Sequence, residues 1–265
     1  MIQILPALAG LALTLTQQAP VPAHHQAQKS VASKTQKSPP SKTRKSTPPK
    51  APKSTPPQTE GSKPVAEELI PSEETVRVSD WVAASGDNRR LPYAIVDKKN
   101  AAVFLFDGKG KPLADGPVLI GIAPGDEATP GVGSKNLAEI GPAEKTTPAG
   151  RYLAKFGLAV GKQRVLWVDY ANSVALHPIP PTASKKEHRR ERMLSPTSDD
   201  NRITFGCINV PKAIYARVQP LFQRKGGYVY VLPDSRPIEE VFPLLRVQAA
   251  RKATPPSDRE QAAAQ

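Results

Sequence analysis

Only one of the 265 residues is cysteine, so no disulfide can close within the chain and no zinc site of several thiolates can be built. Aromatic residues are scarce at 5%, and they lie after residue 80. That excludes the interleaving of basic and aromatic side chains that stacks on nucleic-acid bases, and no nucleic-acid partner is expected. Positive charge is missing ahead of the first apolar run, and no apolar run is long enough to cross a bilayer comfortably. Proline is the opposite case. There are 30 of them, eight between Pro39 and Pro64.

The beginning of the chain can therefore be read from composition. Residues 2–15 are mainly apolar, which fits the core of roughly 7–15 residues in a signal peptide, and Val21-Pro22-Ala23 offers small residues for cleavage. Residues 1–23 are expected to be an export signal, and the mature chain to lie in the periplasm or cell envelope without a membrane span. Residues 24–64 hold almost no large apolar side chain, so burial cannot offset chain entropy there, and 24–70 is expected to be a disordered linker. A repeat, Lys45-Ser46-Thr47-Pro48-Pro49 and again Lys53-Ser54-Thr55-Pro56-Pro57, reads as a semi-stiff spacer. Residues 29–63 carry nine Lys or Arg against one acid, Glu60, so much of the net charge of +13 belongs to this linker. Such a tail is drawn to polyanions of any kind. Residues 249–265 are polar and alanine-rich and are expected to be disordered.

Residues 71–248 form the expected folded domain. A short helix over 79–85 should end at Gly86. Strands are expected over 93–96, 101–106, 118–122, 152–156, 164–170 and 173–176, with Asp107-Gly108-Lys109-Gly110 as a hairpin turn. Residues 123–142 read as a long loop, and 178–202 show charge without apolar periodicity. Pro211 should open a helix running to about residue 225, followed by a last strand over 228–232. The fold class is mostly β, a sandwich or barrel with a helix after the candidate nucleophile.

Chemistry concentrates around the lone cysteine, in Arg202-Ile203-Thr204-Phe205-Gly206-Cys207-Ile208-Asn209-Val210-Pro211. Glycine before a cysteine lets the backbone approach a ligand and lets neighbouring amides point into a common space, where they can hold an oxyanion. A helix starting soon after would favour a thiolate through its positive end. A thiol nucleophile also needs a base. His24 and His25 lie in the tail and His188 in the charged run Lys185-Lys186-Glu187-His188-Arg189-Arg190. His177 alone follows a β run, Val174-Ala175-Leu176, and is the candidate base.

Thr204-x-Gly206-Cys207-x-Asn209, with His177 upstream and Thr147-Pro148-Ala149-Gly150 before both, resembles the signature of the L,D-transpeptidase catalytic domains, the YkuD-type family. The resemblance covers roughly residues 91–235. It implies an L,D-transpeptidase-like fold and a cysteine acyltransferase that cross-links peptidoglycan stem peptides through a thioester on Cys207, with no cofactor and no metal. His177 would be the base, with the Pro178 carbonyl fixing its tautomer. Amides near Phe205, Gly206 and Cys207 would form the oxyanion site, with Thr204 and Pro178 supporting it. Thr204 and Asn209 would brace the loop or contact substrate, and Arg202 would clamp a stem carboxylate. An L,D-carboxypeptidase or stem-peptide hydrolase would use the same residues, and a non-catalytic wall-binding protein is the remaining alternative. Two departures stand out. The family pattern has His before Gly-Cys where this chain has Phe205, and the stretch 184–200 lengthens the span between His177 and Cys207. That stretch reads as an inserted lid or rim loop whose basic residues would attract substrate carboxylates.

Overall fold

The computed structural model describes residues 69–247. The expected export signal (1–23), nearly all of the linker (24–70) and the tail (249–265) lie outside the described residues. The first element is a helix, α1 (Glu73–Ser85). The Ser72 hydroxyl accepts a hydrogen bond from the Thr75 amide, Glu73 and Glu74 occupy the electropositive first turn, and Gly86 closes the helix at φ 67°. Thr75, Val78, Trp81 and Val82 make its buried stripe. The helix starts six residues before the expected 79 because this stripe and its cap begin there.

Ten strands follow: β1 (Tyr93–Asp97), β2 (Ala102–Phe106), β3 (Pro112–Pro117), β4 (Ile120–Gly121), β5 (Gly150–Leu158), β6 (Arg164–Asp169), β7 (Val174–Pro178), β8 (Arg202–Thr204), β9 (Ile208–Val210) and β10 (Gly227–Val231). Eight of them form one mixed sheet in the order β3-β2-β1-β10-β5-β6-β7-β9, and β4 pairs with β8 in a parallel ribbon. Leu119, two residues beyond β3, exchanges two backbone hydrogen bonds with Asn209 in β9, at 2.9 and 2.8 Å. The sheet is therefore nearly closed, and the fold is mostly β. Strand β3 was absent from the sequence reading, since Pro, Gly and Asp are depleted in strands. It pairs only with β2, an edge position that tolerates proline.

Side-chain alternation divides the sheet between two cores. Ala94, Val96, Val103, Leu105, Leu166, Leu176, Ile208, Val229 and Val231 face α3 (Lys212–Phe222), which contributes Ile214, Tyr215, Val218 and Phe222. Tyr93, Ile95, Phe104, Tyr228 and Tyr230 face α1 and the short α4 (Ile238–Val241). Strands β1, β2 and β10 are consequently buried on both faces and read as continuous apolar runs. Two further short pieces lie in the charged stretch, a 3₁₀ turn over Lys185–Glu187 and α2 (Arg189–Met193), which buries Met193. Among the described residues no helix is long and apolar enough to cross a membrane.

One buried charge ties the loops together. The Lys98 side chain is wholly buried, and its ammonium donates to Gly125 O (2.5 Å), Asp126 Oδ1 (3.0 Å) and Thr147 O (3.0 Å). Asp234 Oδ2 lies 3.3 Å away. Burial pushes the Asp126 carboxyl up, but the Arg236, Asp234 and Ser235 amides and Lys98 overcome it and hold the group well below the usual range. Replacing Lys98 with Met should cost roughly 3–5 kcal/mol, because it strands buried acceptors without a cation. Urea unfolding should show this as a lower midpoint at unchanged slope.

Candidate active site

Strands β7 and β9 run parallel with Leu176 opposite Ile208 and His177 opposite Asn209. Leu176, Val174, Ile208 and Val210 point into the core. By strand alternation, His177 and Asn209 point to the opposite face, and Cys207 immediately precedes β9. Cys207 thus lies diagonally across from His177, within reach of a long side chain. His177 and Asn209 share one face of two adjacent strands, with Cys207 just before the second.

His177 Nδ1 sits 2.7 Å from Pro178 O. A carbonyl can only accept, so Nδ1 carries the proton and Nε2 keeps its lone pair. Burial pushes the imidazole pKa below its ordinary value. The Pro178 carbonyl opposes this, and the positive charge of Arg189 adds to the lowering. Burial pushes the Cys207 thiol up, while the Ala175 backbone and Arg189 pull it back in part. The net directions describe a protonated thiol and a neutral imidazole at rest. The thiol donates to Ser173 O, with the sulfur 3.7 Å from that oxygen, and among the described residues no hydrogen bond joins it to His177.

The loop before the cysteine is fixed from several sides. Gly206 has φ 117°, and a Cβ there would stand 2.7 Å from Thr146 O, so both conformation and space demand glycine. The Thr204 hydroxyl donates to Cys207 O (2.6 Å) and accepts from the Gly206 amide (3.1 Å). The Thr147 hydroxyl donates to Gly206 O (2.8 Å) and accepts from the Gly121 amide (2.9 Å). Thr147 and Lys98 are positioning residues that the sequence reading did not assign. The Thr-Pro-x-Gly element carried the signal for the first, and nothing local carried it for the second.

Three expectations need correction, and at Asn209 the contacts favour one of two. The Gly206 amide is committed to Thr204, so it is no free oxyanion donor. The Phe205 and Cys207 amides take no acceptor among the described residues and remain available. Asn209 is completely buried and its Oδ1 accepts from Arg189 Nη1 at 2.9 Å, which favours the brace of its two expected roles over substrate contact. Arg202 is committed to Asp234, Nη2 to Oδ1 at 2.7 Å, and is no free clamp. Finally, β9 separates Cys207 from the start of α3. At about 3.3 Å per residue the helix end is more than 10 Å away, beyond the reach of a terminal-turn dipole. The Phe205 side chain is 39% exposed, with Lys145 Nζ 3.7 Å above its ring centre.

No family model matches this chain, and no curated protein matches it. Solved structures do show likeness. An L,D-transpeptidase of Enterococcus faecium, solved as a cysteine-to-serine mutant, is 17% identical with a TM-score of 0.29, over 53% of this chain and 49% of that one. An L,D-transpeptidase from Mycobacterium smegmatis is 14% identical with a TM-score of 0.31, over 53% and 58%. The helical cell-shape-determining protein of Campylobacter jejuni is 12% identical with a TM-score of 0.38, over 66% and 62%. The chain spans about half to three-fifths of the length of these proteins.

What the site can do follows from its own atoms. A partly buried thiol lies across the β7–β9 ladder from a base of fixed tautomer, and the Phe205 and Cys207 amides are unengaged. That set suits attack on a carbonyl carbon, with a place for the negative oxygen that forms. Arg189 joins the set from the charged stretch and supplies a cation that the sequence reading had sought from the helix end.

Proposed function

We propose that the chain is a cell-wall L,D-transpeptidase that works through an acyl-enzyme on Cys207. The observation that carries this reading is the fixed tautomer of His177, on the strand paired with the one that the only thiol immediately precedes. His177 takes the thiol proton as the sulfur attacks the carbonyl between the third and fourth residues of a stem peptide. The amide C–N bond breaks, His177 returns the proton to the leaving D-alanine nitrogen, and a thioester remains. The amine of a second stem then attacks the thioester, gives its proton to His177 and expels the thiolate, leaving a 3–3 cross-link. The Phe205 and Cys207 amides hold the oxyanion at both stages. A location outside the cytoplasm accords with this substrate.

Intact-mass analysis of the purified protein with muropeptides tests the reading. The expected result is a tripeptide adduct on Cys207 and a cross-linked dimer among the products. Release of tripeptide without dimer would replace transpeptidation by carboxypeptidase chemistry, with water as the acceptor. Neither adduct nor product would defeat the enzyme reading and leave a wall-binding protein.

A further inference from the structure

We infer that Arg189 is a positioning residue for the Cys207–His177 pair, holding the Asn209 carboxamide and placing a permanent positive charge beside the nucleophile. The inference concerns the same site as the proposed function, yet it stands on contacts that need no substrate.

Arg189 opens α2 in the middle of the charged stretch, just after His188 turns the chain through φ 48°. Its neighbours Arg190 and Arg192 belong to the same run, but Arg189 alone reaches Asn209. Only 12% of its side chain is exposed. The guanidinium is held at both ends. Nε lies 2.8 Å from Glu187 Oε2, and Nη1 lies 2.9 Å from Asn209 Oδ1. A planar fork with two fixed partners has one orientation, which a lysine could not reproduce. Asn209 in turn sits opposite His177 in the β7–β9 ladder. Its Oδ1 must face the guanidinium, since an amide nitrogen there would oppose donor to donor.

The consequence is electrostatic as well as geometric. The charged and titratable groups facing the thiol are His177 from β7, Arg189 with its partner Glu187 from the inserted stretch, and Lys145 over the neighbouring Phe205 ring. Arg189 acts on both members of the pair in the same sense, drawing the thiol pKa down and the imidazole pKa down. The two effects differ in consequence: the lower thiol pKa stabilises the thiolate that attacks, while the lower imidazole pKa keeps the ring neutral beforehand and makes it a weaker proton acceptor. The insertion therefore is a built part of the site, and not only a basic rim. Glu187 moderates the same charge from the solvent side.

The test is the rate of Cys207 alkylation by iodoacetamide as a function of pH, on the full chain, for wild type, Arg189→Gln, Arg189→Lys and Glu187→Gln. Arg189→Gln should slow alkylation at neutral pH roughly three- to tenfold and move the alkaline rise of the profile upward. Arg189→Lys should recover part of the loss, since it keeps the charge and gives up the fork. Glu187→Gln should change the rate in the opposite direction, because the counter-charge is removed and Arg189 stays. It also keeps the test alive if Arg189→Gln fails to fold. A role that is merely structural would lower the unfolding midpoint and leave all the pH profiles superimposed, and that result overturns the inference. So would a Glu187→Gln variant that slows in parallel with Arg189→Gln. Alkylation uses no wall substrate, so these outcomes are read independently of whether muropeptides turn over.

Discussion

Cys207→Ser should abolish the acyl-enzyme. The hydroxyl is close in size to the thiol and Cys207 is only partly exposed, so the fold and its unfolding midpoint should stay close to wild type. The chemistry would not survive. Burial already holds the Cys207 thiol above its ordinary pKa, with Arg189 and the Ala175 backbone offsetting part of this, and a hydroxyl is far harder to ionise in the same place. Intact mass after incubation with muropeptides should show no adduct on the variant, and iodoacetamide should leave it unmodified. What remains is the contribution of binding and of the Phe205 and Cys207 amides, which elsewhere sustains only a slow residual reaction. Turnover by Cys207→Ser at a rate near wild type would mean that another group is the nucleophile.

The nucleophile was legible because its chemistry is local. Glycine before cysteine, threonine two places earlier and a histidine at a strand end are all visible within short windows. Their meeting depends on the pairing of β7 with β9, which the sequence did not show: no strand was expected over 208–210, a run of three residues too short to stand out. The parts that were not legible are those fixed by contacts between distant segments. Nothing near Arg189 distinguishes it from the other basic residues of 185–192. Only the fold brings it to Asn209. Lys98 reads as a surface lysine beside Lys99, yet it is enclosed by Asp126, Thr147 and Asp234. The reverse error occurred at Gly206. Its amide was assigned to the oxyanion from proximity to Cys207, and the competitor was the Thr204 hydroxyl two residues away. Side-chain to backbone bonds of that kind are the usual means by which Thr closes a tight loop. Strand β3 was hidden by its own composition, and α1 was half-hidden because Arg77 and the paired acids Glu73 and Glu74 mask its stripe.

His177→Gln should lower kcat/KM by about 10²–10⁴-fold at neutral pH, the usual cost of losing a general base. The direction of the pH effect distinguishes this role from a structural one. In the wild type the imidazole pKa is lowered, chiefly by burial, so the base is already neutral at ordinary pH and is lost only as the medium becomes acid. The thiol pKa is raised, chiefly by burial, so the thiol keeps its proton until the medium is alkaline. Between those limits the reaction depends on His177 to move the proton, and the rate should rise with pH across the acid limb as the imidazole is freed. The two titrations belong to the coupled pair, so the limbs report the pair and not either residue alone. In His177→Gln the acid limb should vanish. The deficit should narrow toward alkaline pH, where the thiol ionises without a base. Gln still offers a polar side chain at a half-buried strand end, so the loss should fall on kcat more than on folding, and the unfolding midpoint should change little. A variant whose deficit is constant from acid to alkaline pH would assign His177 to holding the strand end, and the proton would have to leave the sulfur by another route.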